Sequence, residues 1–115
     1  MNRELLAAAA PKWIEIEPFS AQTKFDMLAM WTEAIMDAID HDHLEPDTCE
    51  ALYLTYAIHT LVDGRYYAAL KFAEMVLTEP ALRRAPRLLP DGPPPVMLAD
   101  LRDAMKKVRE RPAKG

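Results

Sequence analysis

Cysteine and glycine are nearly absent from this sequence, and each scarcity excludes a class of structure. The single cysteine, Cys49, cannot form a disulfide within the chain, and we therefore expect a reducing, cytoplasmic setting. With three glycines in all, the sequence contains no glycine-rich phosphate-binding loop and no nucleophile elbow. The sequence thus lacks the usual signatures of nucleotide-binding proteins and of serine hydrolases.

Long apolar runs and an excess of basic charge are also missing. No segment approaches the ~20 consecutive apolar residues of a membrane helix. The apolar run at residues 5–10 follows Glu4 and stops at Pro11, which predicts a short helix rather than a signal peptide. The net charge of −4 argues against nucleic-acid binding. Nucleic-acid binding is kept as a second alternative because basic residues collect in the C-terminal third, at Arg83, Arg84, Arg87, Lys106, Lys107, Arg109, Arg111 and Lys114.

Apolar residues at helical spacing are what the sequence has in quantity. Half of the 115 residues are hydrophobic, which suits one folded domain. The apolar residues recur at three- and four-residue steps in several segments separated by short links. We therefore predict an all-α fold, a small antiparallel helical bundle of four main helices around a central helix-turn-helix hairpin.

The predicted domain spans residues 1–115 and has a different composition in each part. Within the N-terminal arm, residues 12–17 show brief alternation without a sheet to join, so we expect an extended connector there. Half of the ten prolines fall in one loop that cannot be a continuous helix. The parts are the N-terminal arm (1–19), the helical core (20–80), the proline-rich loop (81–95), the C-terminal helix (95–110) and a tail (111–115).

The longest predicted helix runs from Ser20, a favourable N-cap, to Ile39. Methionines widen its apolar face, so the helix is expected to pack on more than one side. The apolar stripe consists of Phe25, Leu28, Trp31, Ile35, Ala38 and Ile39, and the methionines are Met27, Met30 and Met36.

Residues 47–80 predict two helices that fold back on each other. Asp47 suits an N-cap, and Glu50 three residues later completes a capping box. Gly64 can adopt a positive φ, which suits the end of the first helix and the reversal of the chain. The second helix stops before Pro80, because proline cannot continue it.

Small residues lie where the two helices of this hairpin would cross. Ala57 and Ala69 let the helix axes approach closely, and they are accompanied by Tyr53, Gly64, Tyr66, Leu70 and Leu77. With these residues, positions 50–80 resemble a single tetratricopeptide repeat, a helix–turn–helix unit of about 34 residues. The sequence departs from the pattern of that family at Thr60, Ala73 and Pro80.

The resemblance implies that the first helix of the hairpin faces a bound segment of another protein. The residues on that side are too apolar to be left in water. Either the predicted helix 20–39 covers them, which we favour on packing grounds, or a partner does. The predicted partner-binding residues are Leu54, Ile58, Leu61 and Val62 of the first helix, together with Tyr66 and Tyr67 from the aromatic residues of the second.

Imidazole and carboxylate groups cluster at the end of the long helix. Asp37 and His41 would lie one turn apart, and His43 follows closely, so these three could bind a divalent ion. The spacing matches no established zinc motif, and we regard a metal site as the alternative hypothesis.

The leading hypothesis is a non-enzymatic protein–protein interaction module, a small helical adaptor, chaperone-like factor or regulatory subunit. It would bind an apolar helix or peptide against the hairpin, or form a homodimer through the same surface. No cofactor is expected, and the partner is another protein or a second copy of the chain.

Overall fold

The protein is all-α in the part that the structure describes, which in this computed structural model is residues 3–41, 44, 48–78 and 95–110. That part contains no strand, so the predicted fold class is confirmed for it. The proline-rich loop, Asp47 and the tail after 110 lie outside the described residues. The helices are α1 (Arg3–Ala8), α2 (Trp13–Ile16), α3 (Ala21–Asp40), α4 (Thr48–Val62), α5 (Tyr66–Thr78) and α6 (Pro95–Glu110).

The reversal between α4 and α5 occurs at Gly64, as the sequence predicts. Gly64 has a φ of 81°, a conformation that only glycine adopts without strain. The Gly64 N–H donates to the Leu61 carbonyl at 3.1 Å, and the Arg65 N–H donates to the Thr60 carbonyl at 2.8 Å. These two bonds form a Schellman motif, which satisfies carbonyl groups at the end of α4 and sends the chain back along it.

The apolar side of α4 is covered by α5 and α6. The packing of α4 on α3 is much less extensive. Our expectation that the helix 20–39 would cover this side is therefore wrong in its main part. Met105 and Val108 of α6 are buried in the same core cluster as the apolar residues of α4. The spacing of the apolar residues in α6 predicts that one face of this helix is buried, but only the packing shows that the face meets α4.

The predicted extended connector at residues 12–17 is also wrong, because Trp13–Ile16 forms the single turn of α2. The N–H of Ile16 donates to the carbonyl of Lys12 at 3.1 Å, and the N–H of Glu17 donates to the carbonyl of Trp13 at 2.8 Å. One helical turn buries Ile16 and half-buries Trp13, which are three residues apart, and leaves Ile14 exposed. The alternation of Ile14 and Ile16 with glutamates suggested a strand, but the structure follows the helical spacing of Trp13 and Ile16.

The N-terminal arm packs onto the core through α1. Leu6 is fully buried, and the indole N–H of Trp31 in α3 donates to the Leu6 carbonyl at 2.9 Å. Ser20 is the N-cap of α3, as predicted, since its hydroxyl oxygen accepts from the Thr23 N–H at 3.2 Å. The arm therefore turns back across the first half of α3.

A test of the hairpin crossing follows from Ala69, which is buried in the core cluster. Ala69→Leu should lower the free energy of unfolding by about 1–3 kcal/mol, because the added methylenes cannot be accommodated without moving the helices. Ala68→Leu is the matched control, since Ala68 is only half-buried on the same helix. Urea unfolding followed by circular dichroism measures both. Equal stabilities for the two variants would contradict a close crossing at Ala69.

Candidate functional site

Half of the predicted partner-binding set lies inside the core. Leu54, Ile58 and Leu61 are fully buried by the helices of this chain, so a partner cannot reach them in this conformation. Val62 and Tyr66 are half-buried, and Tyr67 is exposed. The surface of α4 that the sequence suggested for docking is therefore an internal packing surface. The accessible residues of the predicted set, Val62, Tyr66 and Tyr67, lie next to the hairpin turn.

The predicted metal residues do not come together as a site in the described part of the chain. Asp37 and His41 lie one turn apart, as expected, and both are exposed. The Nδ1 atom of His41 lies 2.8 Å from the backbone carbonyl oxygen of Asp37, so this ring nitrogen contacts the C-terminal end of α3. No group of three potential metal ligands is found among the described residues, and His43 lies outside them.

An open apolar groove of about 490 Å³ lies between the N-terminal arm and α3. One wall is the link between α1 and α2, and the other is the face of α3 that carries methionines. Of the lining side chains, one is ionisable, the carboxylate of Glu15. The groove is lined by Ala9, Ala10, Pro11, Glu15, Met27, Met30, Trp31 and Ala34.

The large apolar side chains with the greatest exposure among the described residues belong to the N-terminal arm and to α3. Ile14 in α2 is 80 % exposed, Met30 in α3 is 72 % exposed, and Leu5 in α1 is 59 % exposed. Met30 lines the groove itself. Single exposed apolar residues are normal on protein surfaces, and methionine is in addition common at adaptable binding surfaces. We therefore take this groove, rather than the α4 surface, as the candidate functional site.

The sequence contained part of the signal for this groove. Met27 and Met30 widen the apolar face of α3 beyond what one packing surface needs. Sequence reasoning missed the other wall, because nothing local in Ala9, Ala10 and Pro11 shows that the arm folds back across α3.

One end of the arm is fixed by an ion pair that we call the clamp, formed by Arg3 and Glu50. The Nη2 atom of Arg3 donates to Oε1 of Glu50 at 3.0 Å, and Nη1 lies against the other carboxylate oxygen. Nη1 also donates to the backbone carbonyl of Val76, near the end of α5. One guanidinium therefore connects α1, α4 and α5. The Glu50 side chain is 4 % exposed and that of Arg3 28 %, so the pair is largely shielded from water.

The other end of the arm is fixed by a row of rings and ammonium groups. The rings of Trp13 in α2 and Tyr67 in α5 meet edge to face, with centroids 5.0 Å apart. The Lys24 ammonium lies 5.3 Å from the Trp13 ring, and the Lys71 ammonium lies 5.4 Å from the Tyr67 ring. These contacts hold α2 on α3 and α5. Ala9, Ala10 and Pro11 lie between the two anchored ends of the arm.

In comparisons with protein-family models, curated proteins and solved structures, nothing matched this chain. The resemblance of residues 50–80 to a tetratricopeptide repeat accordingly stays a prediction. None of the helices in the described part of the chain combines the length and the apolar composition of a membrane span.

The clamp is expected to contribute substantially to stability. Arg3→Met should lower the free energy of unfolding by about 2–3 kcal/mol, because the shielded Glu50 carboxylate loses its charged donor. Replacing both partners, as Arg3→Met with Glu50→Leu, should cost less than Arg3→Met alone. Urea unfolding provides the measurement.

The control for the clamp is an exposed arginine–glutamate pair, Arg109 with Glu33, in which Nε donates to one carboxylate oxygen at 3.0 Å. Arg109→Met should cost less than about 1 kcal/mol because solvent screens this pair. A similar cost for Arg3→Met and Arg109→Met would contradict the structural role of the clamp.

Proposed function

We propose that this protein is a non-enzymatic protein–protein interaction module that binds an apolar, basic helical segment of a partner in the groove between the N-terminal arm and α3. The observation that carries the proposal is Met30, whose side chain is 72 % exposed in a groove of apolar character. Burial of this surface by a partner would remove apolar area from water, which favours association.

The shape of the groove suits a helix. Ala9, Ala10 and Ala34 line it with side chains that are too small to hold a partner's backbone away. Met27 and Met30 have flexible, unbranched side chains that can adjust to the residues placed against them. A helix that buries one apolar face in a hydrophobic groove is a recurrent mode of peptide recognition.

The charges around the groove select the partner. Glu15 supplies the one ionisable side chain of the lining. On α3, Asp26 is four residues before Met30, and Asp37 is three residues after Ala34, and both are exposed. Residues three or four apart lie side by side on a helix, so these carboxylates border the groove. By the same spacing Lys24, three residues before Met27, also borders it, and its ammonium lies over the Trp13 ring. A partner helix with lysine or arginine beside its apolar face complements this arrangement.

The frame that supports the groove in this proposal is an antiparallel bundle of α3, α4, α5 and α6. The supporting observations are the tight reversal at Gly64 and the extensive packing of α4 against α5 and α6. In such a frame α3 has one face for the core and a second face for the arm and the partner.

A second copy of the chain is the alternative occupant, and solution mass distinguishes the two. We expect light scattering to give a monomer over a dilution series. A dimer that Met30→Asp converts to a monomer would assign the groove to self-association instead.

Binding can be tested with a labelled helical peptide of sixteen residues that carries leucines on one face and lysines on both flanks. Fluorescence anisotropy should show binding to the native chain, and Met30→Asp should weaken it about tenfold or more, because a carboxylate would be buried among apolar groups. Glu15→Gln should weaken binding less, and mainly at low salt.

Two controls make the peptide test specific. A peptide with glutamates in place of the lysines should bind less tightly to the native chain, since the rim of the groove is acidic. Tyr56→Asp places the same charge at an exposed residue of α4, outside the groove lining, and should leave affinity unchanged. Equal losses for Met30→Asp and Tyr56→Asp, or equal affinities for the two peptides, would contradict the proposal.

A further inference from the structure

We propose that Met30 is an oxidation site, and that conversion of its thioether to the sulfoxide by a peroxide switches off docking at the groove. This inference rests on the proposed function of the groove and adds a form of regulation to it. It depends on the accessibility of the sulfur-bearing side chain and on the hydrogen-bonding capacity of the groove lining.

Exposure distinguishes Met30 from the methionines of the core. The Met30 side chain is 72 % exposed, whereas Met36 in the same helix is 3 % exposed and Met105 in α6 is 1 % exposed. Met27 and Met75 are half-buried. Oxidation of methionine follows access of the oxidant to sulfur, so Met30 should react before the others that are described.

The chemical step needs only the side chain and a hydroperoxide. A lone pair of the thioether sulfur attacks the terminal peroxide oxygen, the O–O bond breaks and an S–O bond forms. With hydrogen peroxide the departing hydroxide takes up the proton of the transferred oxygen, which gives the neutral sulfoxide and water. Sulfur is oxidised by two electrons, and the peroxide is reduced by the same two. Methionine sulfoxide reductase, a thiol-dependent enzyme, reverses the change.

The groove lining offers no free side-chain donor for the new oxygen. Of the lining side chains, only Trp31 has an N–H or O–H group, apart from a protonated form of Glu15, and its indole N–H already donates to the Leu6 carbonyl at 2.9 Å. The backbone N–H of Ala9 donates to Leu5, and that of Ala10 donates to Ala7. A sulfoxide at Met30 is solvated while the groove is open. The apolar face of a docked helix would remove that water from Met30 and offers no donor in its place, which opposes binding.

The experiment uses the full chain and the leucine–lysine peptide described above. Graded treatment with hydrogen peroxide is followed by peptide mapping with mass spectrometry and by fluorescence anisotropy on the same samples. Met30 sulfoxide should form first, with Met36 and Met105 protected. Affinity should fall about tenfold or more in step with oxidation of Met30 and return after treatment with the reductase.

Met30→Leu is the decisive variant, because it keeps an apolar side chain of similar volume and has no sulfur. Its affinity for the peptide, measured before and after peroxide treatment of the same variant, should not change. Loss of affinity in oxidised Met30→Leu would overturn the assignment to Met30. Oxidation of Met36 or Met105 as fast as Met30 would overturn the ordering by exposure.

The result also separates this inference from the proposed function. If Met30→Asp abolishes binding but full oxidation of Met30 does not, the groove is a docking site and the redox switch is overturned. If the untreated native chain binds neither peptide, the proposed function and the switch are both overturned.

Discussion

The contact between the Arg3 guanidinium and the shielded Glu50 carboxylate is the constraint on which the arrangement of the N-terminal arm depends. A carboxylate with little exposure is costly without a charged partner, and Arg3 supplies that partner from 47 residues away in the sequence. The same guanidinium reaches the Val76 carbonyl, so α1 is tied at once to both helices of the hairpin. With this end fixed, Leu6 enters the core and α1 lies against α5 and, less extensively, against α3.

The groove is a consequence of how the anchored arm meets α3. The segment between its two anchors carries small residues, Ala9 and Ala10, and cannot fill the space beside the methionine-bearing face of the helix. The resulting surface combines an apolar floor, adaptable thioethers and acidic neighbours. Those properties are the basis for proposing a basic amphipathic helix as the partner, and the lack of free side-chain donors in the groove lining is the basis for the proposed oxidation switch.

The elements that sequence reasoning predicted correctly are those with local causes. Ser20 caps α3 through its own side chain, and Gly64 permits the positive φ of the reversal. The connector at residues 12–17 was wrongly predicted, because so short a segment contains both a strand-like alternation, Ile14 with Ile16, and a helical spacing, Trp13 with Ile16, and the structure uses the second. Leu54, Ile58 and Leu61 were assigned to a partner surface for a different reason. Their spacing shows that one face of the helix is apolar, but it does not show that other helices of the same chain cover that face.

The sequence by itself determined the all-α class, the chain reversal at Gly64 and the apolar faces of the helices, since backbone conformational preference and side-chain periodicity act over a few residues. The tertiary structure decided which faces meet. Glu50 illustrates the difference. Neighbouring residues predict its place in the first turn of α4, but its partner Arg3 lies 47 residues away in the sequence, so only the fold shows this ion pair. The groove is likewise decided by the tertiary structure, because its two walls are separate segments that only the packing of the arm on α3 brings together.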